Sequence, residues 1–447
     1  MHYDLIIKNG NLVSPEKCVQ GSIAVKNGKI EKTGSIDPLD TAKEIYDAEG
    51  KYVLPGVIDA HVHFRDPGLT EKEDFETGST SAAMGGITLI ADMPNVIPVT
   101  STAKLFLEKL EIAKEKSCID FALFALLTND NLNEMKALKE SGALGFKVFF
   151  GTSTGNLACP SLDILAKQID ESARLGMRIG FHGETNEINS NFTSIAKNEC
   201  EVPDGFWLDY ARPVISEVNA IKVIVSLAQE DGNKIHIHHI TSYDGALLCD
   251  EARQNGVDLT TETCVHYLIF SNEENTLKVL PPIRDETHRE GLWESIGNGI
   301  IDMIASDHAP HLPAENTDTT WESPAGLCGT ETLVPLLLNE VNKGKLSIND
   351  FVRLTSENPA KTWGCFPQKG NLNTGADADF TIADMNMKKI IRASELHSKS
   401  KTTPYDGMEL KGFPVCTIVR GEFIMKDCKF TGKKGFGKLV SPQFPSC

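Results

Sequence analysis

Between residues 53 and 364, short apolar runs alternate with segments of helical spacing, and this alternation constrains the fold more than any other feature of the chain. The runs are Val57-Ile58, Thr88 to Ala91, Phe121 to Phe124, Gly145 to Phe150, Arg178 to Phe181, Ile235 to His238, Asp258 to Thr261 and Met303 to Ser306. Between them, stretches such as Ala103 to Lys116 and Ser216 to Gln229 space Leu, Ile and Ala as a helix does. Strands that alternate with helices form parallel βα units. Eight such runs predict a closed (β/α)8 barrel of the TIM type.

The two ends have a different texture. Leu5-Ile6-Ile7, Ser22 to Val25 and Lys29-Ile30-Glu31 are separated by Asn9-Gly10 and Asn27-Gly28, dipeptides that favour hairpin turns. After Gly370, Ala378 to Ile382 and Cys416 to Phe423 again read as strands. The expected architecture is a barrel over 53–364 joined to a small β-sandwich domain built from residues 1–52 and 365–447.

At 447 residues the chain exceeds one ordinary domain, and its 40% hydrophobic content allows a large core. A net charge of -18 argues against nucleic acid or an anionic membrane as partner. It leaves room for a small anionic substrate, because a few local cations reverse the field inside a cleft. No apolar run approaches the roughly 18 residues of a membrane span, and the N-terminus lacks a secretory pattern. The 11 cysteines are scattered without a C-x-x-C pair, as expected of reduced thiols in the cytoplasm.

Ligand-type side chains gather at the ends of the predicted strands. His61 and His63 close the first, two residues apart and therefore on one face. His182, His239 and Asp307 each follow a later run. Barrel enzymes place their active sites at these strand ends, and histidine with carboxylate suits a divalent ion such as zinc. Lys147 lies within Gly145 to Phe150, a strand too apolar for an unpaired ammonium. A carboxylate partner is one solution. The other is chemical: burial lowers the lysine pKa, and the neutral amine reacts with carbon dioxide to give a carbamate able to bridge two metal ions. His236, His238 and His308 adjoin these residues and read as supporting groups.

Pro55 to His63, Ala305 to His311 and Gly375 to Asp379 resemble motifs of the amidohydrolase superfamily, specifically of its cyclic amidohydrolases: dihydroorotases, allantoinases, hydantoinases and dihydropyrimidinases. The resemblance extends over essentially the whole chain. It implies that His61, His63 and Asp307 hold one divalent ion, zinc being the expected metal. It implies that His182 and His239 hold a second, with carboxylated Lys147 bridging the two. By the same resemblance Asp307 takes a proton from the attacking hydroxide and delivers it to the leaving nitrogen, and the protein is a homo-oligomer, dimer or tetramer.

Arg65, Asn95 and His311 match positions that bind the substrate carboxylate in dihydroorotases; a guanidinium fork, an amide and an imidazole make a charge-assisted cradle. Gly326 to Leu336 and Pro404 to Gly407 also look like dihydroorotase segments. The expected activity is therefore dihydroorotase, the reversible hydrolysis of dihydroorotate to N-carbamoyl-aspartate in pyrimidine biosynthesis, with a small carboxylate-bearing substrate. Leu280 stands where dihydroorotases commonly carry asparagine, and Glu262 to Tyr267 looks more like allantoinases and hydantoinases, which are the alternative activities. A non-catalytic scaffold of the same descent is a remote alternative, and the filled ligand positions argue against it.

Overall fold

The structure, a computed structural model, describes residues 1–151, 157–230, 232–273, 277–315 and 320–443. The chain opens with β1 (His2–Val13), β2 (Cys18–Lys26), β3 (Lys29–Gly34), β4 (Thr41–Asp47) and β5 (Tyr52–Pro55). Asn27 and Gly28 both have positive φ, 53° and 74°, and close the β2–β3 hairpin between Lys26 and Lys29. Two left-handed residues in a two-residue loop match the twist of the flanking strands. Asn9-Gly10 departs from expectation. It lies inside β1, where the register with β2 shifts between Ile7 and Gly10, so the dipeptide forms a bulge rather than a turn.

Nine strands follow at the centre of the chain: β6 (Val57–Val62), β7 (Ile87–Asp92), β8 (Asp120–Leu123), β9 (Ala125–Leu126), β10 (Phe146–Phe149), β11 (Ile179–His182), β12 (Lys234–Ile237), β13 (Asp258–Cys264) and β14 (Met303–Ala305). β8 and β9 occupy one barrel position, interrupted at Phe124, whose N–H turns to the Asp92 carbonyl at 3.0 Å. Neighbouring strands pair in parallel from β6 to β8 and from β9 to β14. His63 N–H donates to the His308 carbonyl at 2.7 Å and Val62 bridges to His308, which closes the ring. The eight-position barrel is the one the alternation predicts. Gly180 on β11 is required there, because a Cβ would stand 2.1 Å from Nε2 of His238 in the interior.

The chain returns to antiparallel structure with β15 (Phe380–Ile390), β16 (Glu409–Val419), β17 (Glu422–Lys426) and β18 (Lys429–Phe430). These join β1 to β5 in one nine-stranded sheet, with β15 pairing against β5 from Phe380 opposite Pro55. Its apolar core includes Leu5, Ile23, Val25, Val53, Phe380 and Ile418. The Gly375 to Asp379 motif has a structural use. Asp377 and Asp379 meet the buried Lys369 Nζ at 2.9 and 2.6 Å, and Asp120 on β8 meets it at 2.6 Å. One buried ammonium thus ties the barrel to the sheet, and each partner offsets the desolvation of the others. Among the described residues no cysteine pairs with another, and no helix is long and apolar enough to cross a membrane.

Candidate metal centre

His61 lies on β6 and His63 just beyond it; Lys147 lies on β10, His182 ends β11, and His239 and Asp307 follow β12 and β14 by two residues. Each strand delivers its side chain to the same end of the barrel because all run parallel. The four histidines and Asp307 line a cleft of about 430 Å³ with Arg65, Asn95, Phe149, Val279 and Leu280. Arg65, His239 and Asp307 have φ of 61°, 38° and 45°. Side chains rarely adopt this left-handed region, so surrounding contacts must hold it. Buried Asp59 supplies one hold: it accepts from Ser306 N–H at 3.0 Å, Ser306 Oγ at 2.5 Å and Thr330 Oγ1 at 2.9 Å.

The proton positions follow from the partners. Nδ1 of His61 lies 2.7 Å from Oε1 of Glu262, and a carboxylate only accepts, so Nδ1 carries the proton. Nε2 of His61 then turns a lone pair toward Asp307 Oδ1 at 3.4 Å. Nδ1 of His63 donates to Asn95 Oδ1 at 2.6 Å, and its Nε2 faces the same Asp307 oxygen at 3.1 Å. Burial lowers His61 well below its ordinary value, so the imidazole is neutral. Two imidazole nitrogens and a carboxylate oxygen within 4.8 Å of one another form a donor set that a divalent cation fits.

The second half repeats the logic. Nε2 of His182 donates to Glu184 at 2.8 Å, so Nδ1 presents its lone pair, 2.9 Å from Nε2 of His239. Burial pushes the Glu184 carboxyl up, but Arg212 and His182 outweigh it and hold the group ionised. Lys147 is fully buried, its Nζ has no hydrogen-bond partner among the described residues, and burial brings it down to about 7. An amine so placed fits a carbamate better than an ammonium. Glu262 and Glu184, which orient His61 and His182, were not among the residues singled out by sequence as site groups. The signal that could have found them is a carboxylate at the mouth of a strand beside a ligand histidine. His236 and His238 point into the barrel interior toward Glu262, at 3.6 and 3.4 Å.

The three cradle residues are placed less uniformly. Arg65 is buried and lines the cleft; its Nε donates to the Pro310 carbonyl at 3.3 Å. It makes no ion pair with a carboxylate among the described residues. Asn95 lines the cleft, but its oxygen is engaged by His63. His311 stands behind Arg65, outside the cleft lining. Its Nε2 is 3.0 Å from the Ala325 carbonyl and 3.2 Å from Arg65 Nη2, and Lys72 Nζ lies 3.3 Å from its Nδ1. Burial, then Arg65 and Lys72, bring its imidazole down to about 3, so it is neutral.

The sequence profile of the amidohydrolase family matches residues 52–424. An L-hydantoinase of Paenarthrobacter aurescens is 35% identical, with 98% of each chain covered. An allantoinase of Solibacter usitatus is 36% identical over 98% of this chain and 97% of its own. The solved structure of the L-hydantoinase (dihydropyrimidinase) from Arthrobacter aurescens superposes with a TM-score of 0.95 at 35% identity, covering 98% of this chain and 100% of that one. These similarities overturn the expected dihydroorotase activity. A dihydroorotase of Methanosarcina mazei is also similar, at 34%, slightly below the L-hydantoinase and the allantoinases of Solibacter usitatus and Desulfitobacterium hafniense at 35–36%. Of the three expected carboxylate donors, Arg65 and Asn95 line the cleft and His311 does not. The family profile, the full-length similarity and the convergent donor set agree, and the chain belongs to the amidohydrolase family as a metal-dependent hydrolase.

Proposed function

We propose that this protein opens a five-membered cyclic ureide of the hydantoin type, releasing an N-carbamoyl amino acid. The observation that carries the reading is the convergence of His61, His63, Asp307, His182 and His239 in one cleft, with the buried Lys147, whose Nζ makes no hydrogen bond among the described residues, at the end of the same barrel. The full-length similarity to an L-hydantoinase and to allantoinases supports it.

His61, His63 and Asp307 would hold one divalent ion, zinc by ligand type. His182 and His239 would hold a second, with Lys147 as a carbamate between them. Such ions, when bound, make water acidic enough to attack at neutral pH and polarise the scissile carbonyl. The chain's own groups do the rest. Glu262, Asn95 and Glu184 keep the imidazoles in the tautomers that face the cleft. Asp307 takes a proton from the attacking water and passes it to the ring nitrogen as the C–N bond breaks. Ring opening creates a carboxylate, and Arg65 is the cleft's unpaired cation to receive it. The carboxylate reading of Arg65 survives in this form, with Asn95 free to donate from Nδ2.

The test is turnover of hydantoins, allantoin and dihydroorotate by metal-loaded protein prepared with bicarbonate. Hydantoin opening is the expected result. Turnover of dihydroorotate with none of any hydantoin would remove the proposal.

A further inference from the structure

Asp307 has two jobs in the reading above, ligand and proton carrier, and its two oxygens are spent differently. Oδ1 faces both imidazoles, 3.1 Å from His63 Nε2 and 3.4 Å from His61 Nε2, while Oδ2 makes no hydrogen bond among the described residues. The division depends on a backbone held at φ 45°, a region that side chains rarely adopt. The residues on either side of Asp307 close on a single hydroxyl. Ser306 Oγ accepts from the His308 N–H at 3.0 Å, spanning Asp307, and donates to Asp59 Oδ2 at 2.5 Å. Asp59 also accepts from the Ser306 N–H at 3.0 Å and from Thr330 Oγ1 at 2.9 Å. Beyond the turn, the His308 carbonyl accepts from the His63 N–H at 2.7 Å. Asp59, Ser306, His308 and Thr330 are buried, and none of them lines the cleft. Asp59 and His61 alternate along β6, so the strand that carries the ligand histidines also grips the turn that carries Asp307.

We infer that Ser306, anchored by Asp59 and Thr330, is the positioning residue for Asp307: it keeps the turn left-handed, so that Oδ1 is committed to the imidazoles and Oδ2 is left for the proton. The kinetic part of this inference rests on the hydantoin-type reading. Without the Ser306 hydroxyl, the buried His308 N–H has no acceptor and Asp59 loses one of its three donors, which removes the reason for the turn to keep its conformation. A relaxed turn carries the carboxylate off its line to His61 and His63. Thr330 acts at one remove, because its hydroxyl touches only Asp59. Its effect is in the same direction and smaller.

The experiment uses full-length protein loaded with cobalt in the presence of bicarbonate, as wild type, Ser306→Ala, Thr330→Val and Thr330→Ser. It reads metal per chain, the visible absorption bands of the bound cobalt, and kcat and KM for hydantoin. Ser306→Ala is expected to keep its metal, to displace the cobalt bands and to lower kcat by about 10- to 100-fold. Its KM should stay within about twofold, because a group that acts only in the transition state lowers kcat and kcat/KM together. Thr330→Val should move bands and kcat in the same direction, and Thr330→Ser, which keeps the hydroxyl, should restore both. Wild-type bands and kcat in a folded Ser306→Ala overturn the inference even if that variant melts at a lower temperature, and so does a fall in kcat matched by loss of metal. If Ser306→Ala does not fold, wild-type bands and kcat in Thr330→Val overturn it. A wild type that opens no hydantoin removes the underlying function instead; the cobalt bands need no substrate and still test the positioning.

Discussion

Oε1 of Glu262 lies 2.7 Å from Nδ1 of His61, and both groups are buried. This contact decides which nitrogen of His61 faces the cleft. Glu262→Gln would keep the shape but could present its amide to Nδ1 as either donor or acceptor. We expect a fall of about 10- to 100-fold in metal affinity, measured by competition with a chelating dye. Unchanged affinity would show that strand geometry alone orients the ring.

Lys147→Ala is expected to abolish activity and most metal retention, with part of both restored by acetate or propionate. Metal analysis of the purified variant, before and after added carboxylate, checks this. Full activity in the variant would remove Lys147 from the bridging role.

Arg65→Gln removes the cleft's unpaired guanidinium while the nearby histidines stay in place. Losing one charged hydrogen bond costs about 1.5–3 kcal/mol, which corresponds to a fall of roughly 10- to 150-fold in kcat/KM. Bound metal should match the wild type. Loss of metal together with activity would instead assign Arg65 to support of the Asp307 backbone.

His397 tests the packing of the segment before β16 by pH. Its Nδ1 lies 2.9 Å from Glu331 Oε1, and this hydrogen bond raises the imidazole above its ordinary 6.5, against the opposing effect of burial. A raised folded pKa means the native state binds the proton more tightly. The stabilisation is complete below 6.5 and is lost as pH rises through the folded value. Melting curves across the neutral range should show this loss in wild type, attenuated in His397→Gln. Identical slopes in the two proteins would dismiss the pair as a stabilising contact.

The barrel and the candidate ligands were legible in the sequence because both depend on local pattern. Strand–helix alternation reports parallel βα units, and a parallel barrel carries every strand end to one face, so His61, His63, His182, His239 and Asp307 needed no long-range information to be grouped. The nine-stranded sheet was legible as strands at both ends, with Asn27-Gly28 read correctly as a turn. Asn9-Gly10 was not, since the same dipeptide forms a bulge when the chain continues past it in extended form. What tertiary structure alone decided is how each polar atom is spent. Glu262 and His61 are 201 residues apart, as distant in sequence as their hydrogen bond is short. Asn95 and His311 carried the right chemistry for a carboxylate cradle, yet the fold engages one with His63 and sets the other behind Arg65. Residue type states what a side chain can donate or accept. Only three-dimensional packing determines which partner arrives first.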